Sequence, residues 1–439
     1  MLKDVSILGL ARILPIGLAL VQSIAVARIL GPEGFGALAV IAAYPALVFG
    51  ILNARTAEVT TRFLADFDAR GLPDKALGLC KVAYAIDLVV AGAAVVVVAA
   101  TAGVVAPHVL DDLRLAPLMT VFAVSFLPNA LTPTSTAVLA VSNRFPLTAS
   151  IEAGAATLRT AMVVGFVLAG FGVPGVVYGL VLGNTVLGMA ITAAAHRVAV
   201  RRWHRSWFRS RWTELAGRRR EIARFFVLSD LTALCNTAIK NVDVLILGAF
   251  RPVSEVGFYN LGKSLTTQLL VVVSAVRAVA FPRIMRMWTT GDWESLWSTV
   301  RSHTWRLAAP GTVAVGALML AVVPAIELVY GSDYTPAAPV ARLLLLQVVM
   351  LLLTLWVDMV FLAWGHLRVL LLARALGAVI VTVGTVLLAP RWGGAAAASM
   401  LLLQQAVSAV ITFTWMYRHR GTHRAEAQRR ASVHAGGRS

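Results

Sequence analysis

The chain has 439 residues, of which 59% are hydrophobic and only 14% are charged. Soluble domains contain about 45–50% apolar and about 25% charged residues, so this composition excludes an ordinary soluble protein. The formal net charge is +18, which in a soluble protein would suggest a nucleic-acid partner. With so much apolar sequence, we expect the positive charge to lie in loops between membrane spans, and we predict an all-α polytopic membrane protein with no nucleic-acid partner.

Twelve stretches are long and apolar enough to cross a bilayer, which takes roughly 20 residues each. The N-terminal stretch is too long for a signal peptide and is not followed by a small-residue cleavage site. Cys80 and Cys235 lie inside apolar stretches and are expected to act as small hydrophobic residues. The predicted spans are 5–29, 34–54, 79–105, 115–140, 147–171, 174–196, 225–249, 255–281, 306–329, 337–364, 367–389 and 394–417.

Basic residues predict the orientation, because loops rich in Lys and Arg stay in the cytoplasm. With the N-terminus inside, the cytoplasmic segments hold about 27 basic residues and the opposite side about four. One miscounted span would mix these two groups. We therefore predict an even number of spans and place both termini in the cytoplasm, with the protein in the cytoplasmic (inner) membrane.

The middle and the end of the chain are strongly basic. Ten arginines lie between Arg197 and Arg224, a segment that we interpret as a cytoplasmic linker near anionic lipid headgroups. Six predicted spans precede it and six follow it, and Ile29-Leu30-Gly31 before Gly34-Phe35 is matched by Ile246-Leu247-Gly248 before Gly257-Phe258. This pattern favours two parallel six-helix repeats. The predicted domains are 1–196, the linker 197–224, 225–417 and a disordered basic tail 418–439.

Ionisable residues inside spans usually face a cavity. Span seven carries polar residues at spacings of three and four, and so does span eight, which predicts a polar face on each helix. Cations outnumber acids in these stripes, which suits an anionic substrate such as a pyrophosphate. The candidate substrate-binding residues within the spans are Arg28, Arg159, Lys240, Lys263, Arg277, Arg374, Asn236 and Tyr259.

Simpler interpretations of these polar residues stay open. Ser, Thr and Gln often serve as hydrogen bonds between helices, Lys240 and Asp243 lie three apart and can neutralise each other, and Lys263 and Arg277 can reach the membrane surface. The candidate ion-coupling residues are Asp243, Asp358, Asp230 and Asp87. A metal site at Asp111-Asp112 is disfavoured against a solvated loop.

Several segments resemble the oligosaccharide flippases that export lipid-linked sugars, the polysaccharide-transporter branch of the multidrug/oligosaccharidyl-lipid/polysaccharide exporter superfamily. The matches occur in both halves of the chain and in the family's order. They are Ala27-Arg28-Ile29-Leu30-Gly31-Pro32-Glu33-Gly34-Phe35-Gly36, Val242-Asp243-Val244-Leu245-Ile246-Leu247-Gly248, Glu255-Val256-Gly257-Phe258-Tyr259, Phe281-Pro282-Arg283, and Tyr330-Gly331-Ser332-Asp333-Tyr334 followed by Ala337-Ala338 and Leu343-Leu344.

The resemblance implies two six-helix bundles around a central cavity that opens to one side at a time. It also implies that an undecaprenyl-pyrophosphate-linked oligosaccharide moves from the inner to the outer leaflet, for cell-surface polysaccharide biosynthesis. Arg28 lies within a matched motif and is the best residue to carry over as a pyrophosphate ligand, whereas Arg12 and Arg55 match by position only. The implied partners are the polyprenyl-linked glycan and membrane lipids, with glycan polymerase and glycosyltransferases as further partners.

No cofactor is expected, and the sequence contains no G-x-x-x-x-G-K-[ST] motif for nucleotide binding. The leading alternative is a cation-coupled multidrug or metabolite antiporter of the same fold, which would favour acidic cavity residues. A membrane glycosyltransferase or polymerase is a weaker alternative, because the longest predicted outer loops have only about ten residues. We therefore predict a transporter rather than an enzyme.

Overall fold

The computed structural model describes residues 2–52, 56–110, 112–203, 237–364, 366–419, 421–423 and 425. These residues form α-helices and short 3₁₀ turns, with no strand among them. Seven of the helices are long and apolar enough to cross a membrane, and an eighth span arises if a pair bent by 70° is counted as one. The predicted fold class, an all-α polytopic membrane protein, is confirmed.

The first half of the chain contains α1–α9. Apart from α2, its helices cover the first six predicted spans, while the seventh is described only from residue 237. The helices are α1 (Leu2–Leu52), α2 (Thr56–Ala69), α3 (Pro73–Leu110), α4 (Ala116–Val124), α5 (Phe126–Ala130), α6 (Thr132–Val141), α7 (Phe145–Leu168), α8 (Gly172–Trp203) and α9 (237–250).

The second half contains α10–α15. Two of its predicted spans, the ninth and the tenth, each consist of two consecutive helices. The helices are α10 (Val253–Thr289), α11 (Trp293–Leu320), α12 (Val322–Tyr330), α13 (Ala338–Thr354), α14 (Val357–Trp364) and α15 (Leu367–Arg418).

Two of the long helices are interrupted where the sequence predicts a junction between spans. The backbone of α1 leaves the helical region at Gly31, with φ 69° and ψ 179°, between predicted spans one and two. The backbone of α15 does so at Gly393, with φ 55° and ψ −136°, between predicted spans eleven and twelve. Only glycine adopts such a conformation at low cost, so each glycine ends one span and begins the next.

The later part of helix α3 illustrates how an apolar stretch of a span packs. Its buried side is a row of small residues, Ala91, Ala94, Ala102 and Ala106 with Val98, spaced three or four apart. Small residues let neighbouring helices approach closely. Its opposite side is exposed valine, including Val89 and Val96 at 71% and 68%, as expected of a surface that faces lipid.

The chain divides into two compact units, Met1–Gly257 and Phe258–Ser439. Helix α9 belongs to the first unit, where Gly248 packs against Val109 and Gly50 packs against Thr237. The predicted linker and tail lie largely outside the described residues, in 204–236 and 426–439. The domain boundaries at 196, 225 and 417 stay a prediction.

Helix α2 was not predicted and adds a layer to the first unit. Phe63, Leu64 and Phe67 lie on one side of it and are buried against α3, α6 and α8. Its other side carries exposed residues such as Thr61 and Arg62. The helix is amphipathic rather than apolar, which is why it is no candidate for a span.

Candidate functional site

A buried carboxylate lies at the centre of the first unit. Asp87 on α3 is 3% exposed and receives two hydrogen bonds from hydroxyl groups. Thr56 Oγ1 on α2 donates to Oδ1 at 2.6 Å, and Thr134 Oγ1 on α6 donates to Oδ2 at 3.0 Å. Buried polar groups are stable when paired in this way, so Asp87 joins three helices through one side chain.

A second group of hydroxyls lies one turn away from this carboxylate. Tyr84, three residues before Asp87, has its hydroxyl 2.9 Å from Ser135 Oγ, and Ser135 Oγ donates to Thr192 Oγ1 on α8 at 3.1 Å. Together with Asp87, these residues connect α2, α3, α6 and α8. We call the whole set, Thr56, Tyr84, Asp87, Thr134, Ser135 and Thr192, the Asp87 network.

The Asp87 network was only partly predictable. The sequence predicts Asp87 as an ion-coupling candidate but does not identify the other members of the network. In the structure these include Thr134 and Ser135 on α6, a helix that is distant in sequence. The available signal was the run Thr132-Pro133-Thr134-Ser135-Thr136, which places hydroxyls on every side of the helix.

Arg159 is the predicted cation of the first unit that lies deepest among its helices. It is half-buried on α7, and its Nε atom is buried with no hydrogen-bond partner among the described residues. Gly183 on α8 packs directly against the Arg159 side chain. Thr160, the residue after Arg159, donates a hydrogen bond from Oγ1 to Gln22 Oε1 on α1 at 3.4 Å. A guanidinium donor that is buried and unsatisfied is suited to receive an anionic oxygen.

The remaining predicted residues of the first unit occupy different environments. Arg28 is exposed near the end of the first span, and Lys240 is exposed on α9. Asp243 is completely buried and accepts a hydrogen bond from the backbone N–H of Val244 at 2.8 Å. Lys240 and Asp243 therefore differ sharply in exposure although they are close in sequence.

In the second unit, the structure brings Lys263 and Tyr259 together on α10. Lys263 Nζ lies 5.6 Å from the centre of the Tyr259 ring, within the range of a cation–π contact. Tyr259 is completely buried, whereas Lys263 is half-buried. The contact with the ring helps to fix the position of the ammonium.

Two predicted residues of the second unit neutralise each other. Arg374 Nη2 on α15 lies 2.8 Å from Asp358 Oδ2 on α14. Both also line a small cavity of about 20 Å³ with Thr354 and Gln405, whose side chains are hydrogen-bonded at 3.0 Å. The pair makes Arg374 a weaker anion ligand than the sequence suggested, because its charge is already matched.

Three predicted residues cannot be placed. Asn236 and Asp230 lie outside the described residues, and the side chain of Arg277 on α10 is likewise not described. The same holds for Arg55 and for the side chain of Arg12. The set of substrate and ion-coupling residues as a whole stays a prediction.

Comparisons with known proteins agree on the architecture. A lipid II flippase, MurJ, in an inward closed conformation shares 12% identity over 97% of this chain and 91% of its own, with a TM-score of 0.70. An inward-facing multidrug resistance transporter of the MATE family shares 14% identity over 95% of both chains, with a TM-score of 0.67. At this identity the likeness establishes the fold alone.

A third solved structure is a MOP superfamily transporter from Pyrococcus furiosus, whose binding pocket is described as having reverse polarity. It shares 14% identity over 96% of both chains, with a TM-score of 0.60. The sequence has no significant match to a curated protein.

The family model for "Polysaccharide biosynthesis protein" matches residues 1–288. That range contains both glycine-phenylalanine junctions and the motif from Phe281 to Arg283. It also contains the Asp87 network, Arg159 and Lys263. Since the match covers more than half of the sequence, the chain belongs to the polysaccharide biosynthesis protein family.

Proposed function

We propose that this protein is a flippase that moves an undecaprenyl-pyrophosphate-linked oligosaccharide from the inner to the outer leaflet of the cytoplasmic membrane. The family's role in polysaccharide biosynthesis supports a glycan substrate. The fold shared with a lipid II flippase supports a lipid-linked one. Moving a polar headgroup through hydrocarbon has a prohibitive free-energy cost without a protein path. A protein that lowers this cost is expected to have many spans and to carry polar side chains within them.

The observation that carries the proposal is the state of Arg159. A guanidinium inside a span is costly unless it has a partner, yet its Nε has none among the described residues. A pyrophosphate supplies the missing acceptor and a matching charge. Lys263, which contacts the Tyr259 ring, is a second candidate cation in the other unit, and Arg28 and Lys240 are further candidates that are exposed.

The proposed mechanism is alternating access. The pyrophosphate and sugar bind the cationic side chains, while the polyprenyl tail remains in the lipid. The cavity then opens to the other side of the membrane. This transport forms and breaks no covalent bond, so we propose a transporter and not an enzyme, with glycan polymerase and glycosyltransferases as its partners.

The test is translocation of a fluorescent undecaprenyl-pyrophosphate oligosaccharide in vesicles that contain the purified protein. Arg159→Ala should slow flipping at least about tenfold, since a charged hydrogen bond contributes roughly 1.5–3 kcal/mol. Arg159→Lys should restore part of the rate. Lys263→Ala, Arg28→Ala and Lys240→Ala should each slow it less.

Arg144→Ala is the matched control, because Arg144 lies at the start of the same helix and is exposed. This variant should flip the substrate at the wild-type rate. Equal rates for Arg159→Ala, Lys263→Ala and wild type, at equal reconstitution, would refute a cationic substrate site.

We further propose that any coupling to an ion gradient passes through Asp87. Its carboxylate is buried, and Thr56 and Thr134 together supply a donor to each oxygen. An Asp87→Asn variant keeps the shape but cannot exchange a proton or bind a cation by charge. It should flip at the same rate with and without a pH or Na⁺ gradient, whereas a wild-type rate that already ignores both gradients excludes Asp87 as a coupling site.

A multidrug antiporter is the second candidate, favoured by the likeness to the MATE fold. It requires acidic groups that can receive a cationic drug, but Asp358 is paired with Arg374. Drug export from cells that express the protein, abolished by Asp87→Asn, would support this candidate over the flippase.

A further inference from the structure

The second unit contains an aromatic pocket that the proposed translocation does not use. It consists of two adjoining cavities of about 680 Å³ and 450 Å³ between α11, α13 and the end of α15. Both volumes fall in the range of small-molecule sites, roughly 300–1,000 Å³. Trp297, Arg301 and Phe413 line both cavities, so the two form one continuous space, which we call the aromatic pocket.

Aromatic rings form the wall of this pocket. The Trp297 ring packs against Trp293 at 5.6 Å and against Trp356 at 5.7 Å, between ring centres. The Trp356 ring packs edge-on against Phe413 at 5.6 Å. Such rings have few rotatable bonds, so the wall is rigid and is formed in advance of any ligand.

The larger cavity has a border of the kind expected at a membrane surface. It is lined by Trp293 at the start of α11 and by Tyr417 near the end of α15, directly before Arg418 in sequence. Trp, Tyr and Arg are the side chains that mark the boundary between hydrocarbon and water. Tyr417 is 80% exposed, so the cavity opens to the surroundings of the protein.

The smaller cavity extends from this surface toward the hydrocarbon. Its lining includes Trp305, Met350 and Leu353. Trp305 lies one helical turn after Arg301, and the same side of α11 continues through Val313 and Leu320, which are 73% and 86% exposed. Large apolar side chains that are exposed along a span face lipid chains, so the pocket opens sideways into the bilayer.

Two opposite charges face the larger cavity. Glu294 and Arg301 both line it, and neither forms an ion pair within the part of the chain that the structure describes. They are seven residues apart on α11, which is two turns or roughly 10 Å along the axis. A ligand that carries an anion and a cation at a short separation would satisfy both groups.

We propose that the aromatic pocket binds a phospholipid with a phosphoethanolamine headgroup. The Arg301 guanidinium binds the phosphate, for which its planar fork of donors is suited. The Glu294 carboxylate accepts hydrogen bonds from the primary ammonium, beside the ring of Trp293. One acyl chain occupies the smaller cavity between Trp305 and Leu353. The site is independent of the substrate that is translocated.

The chemistry of the two charges selects among lipids. An anionic headgroup such as phosphatidylglycerol also meets Arg301, but it leaves Glu294 without a cation and adds repulsion. The zwitterionic headgroup therefore binds more tightly, and the preference depends on Glu294, while Arg301 determines binding of both lipids.

Native mass spectrometry of the full-length protein tests this proposal, with phosphatidylethanolamine and phosphatidylglycerol of identical chains as probes. The wild type should retain phosphatidylethanolamine about tenfold more tightly, a difference of 1.4 kcal/mol. Glu294→Gln should remove the preference, and Arg301→Ala should weaken both lipids. Arg306→Ala is the matched control, because Arg306 is exposed on the same helix and lines neither cavity.

Thermal melting confirms that each variant folds, which is expected because Glu294 and Arg301 are both exposed. Equal retention of the two lipids by the wild type would overturn the proposal. The proposal would also be overturned if the Arg301→Ala variant bound phosphatidylethanolamine as tightly as the Arg306→Ala variant. A flippase that fails in the vesicle assay above leaves this lipid measurement unaffected, so the two proposals fail separately.

Discussion

At the residue scale, charged groups inside the spans lie in at least three different environments. Asp358 and Arg374 form an ion pair, Asp87 is satisfied by neutral hydroxyls, and Lys263 lies at an aromatic ring. The ion pair already matches the charge of Arg374. An anionic substrate should therefore depend more on Arg159, whose Nε atom has no hydrogen-bond partner among the described residues, than on Arg374.

The ion pair between Arg374 and Asp358 makes a prediction about stability. Arg374→Ala should lower the melting temperature in detergent, because it removes the charged hydrogen bond to Asp358, a loss of about 1–3 kcal/mol. Adding Asp358→Ala should recover part of the loss, since the carboxylate that faced Arg374 is then removed as well. Melting curves of the wild type, both single variants and the double variant measure this coupling; a strictly additive double variant contradicts it.

Asp68 predicts a pH dependence outside the predicted spans. Arg202 donates to both oxygens of Asp68, at 3.0 Å and 2.7 Å, and the Trp203 indole donates at 3.1 Å. These hydrogen bonds, that from Arg202 above all, hold the pKa of Asp68 below its usual value of 3.8, against the opposite effect of burial. The stabilisation is therefore complete above pH 4 and is lost as the pH falls through the lowered pKa.

The test compares the wild type with Asp68→Asn. At pH 7 the variant should be less stable by about 1 kcal/mol, a value kept small because Arg202 is partly exposed to water. As the pH falls below 3.8 the difference should shrink, since the unfolded chain then takes up a proton at Asp68 more readily than the folded protein does. A difference that grows on acidification would show that another group controls the contact between α2 and α8.

At the element scale, the two glycine-phenylalanine junctions contact each other within the first unit. A Cβ atom at Gly36 would lie 1.9 Å from the carbonyl oxygen of Val253, and one at Gly257 would lie 2.0 Å from that of Pro32. Both obstacles are backbone atoms. The sequence identified these junctions as matching repeats, but similarity alone could not tell that they pack against one another.

This contact predicts that Gly36→Ala and Gly257→Ala each destabilise the protein by at least about 1–3 kcal/mol, the usual cost of overpacking, or prevent folding. Gly103→Ala is the matched control, because Gly103 lies in α3 with open space around it. There alanine should be neutral or stabilising by up to about 1 kcal/mol. Melting temperatures and the yield of folded protein distinguish the two cases; equal effects at all three glycines would show that the junctions tolerate separation.

Hydropathy predicted most of the spans because a bilayer imposes both length and composition on them. It did not predict α2, because the buried side of this helix depends on tertiary contacts of Phe63 and Phe67 with α3 and α6. It named Asp87 and Arg374 but not Thr134 or the pairing with Asp358, because such partners come from helices that are distant in sequence. The chemistry of the site was thus predictable by residue type, and its geometry was not.

At the scale of the whole molecule, the distribution of the net charge of +18 predicts the topology. Most basic residues fall in segments that the span count places on one side of the membrane. The orientation of the second unit depends on the number of spans that precede it, as Leu113 and Ser332 illustrate. Six predicted spans separate them, so both should lie outside, whereas Arg70 and Thr289 should both lie inside.

Single cysteines at these four positions test the prediction in a Cys80→Ser, Cys235→Ser background. All four residues are exposed, so a membrane-impermeant maleimide should reach each one from its own side. In intact cells it should label Leu113→Cys and Ser332→Cys, and only after the cells are opened should it label Arg70→Cys and Thr289→Cys. Labelling of Leu113→Cys and Ser332→Cys from opposite sides would mean that an odd number of spans separates them. The basic segment between the two halves would then have to be reassigned, and with it the orientation of the second unit.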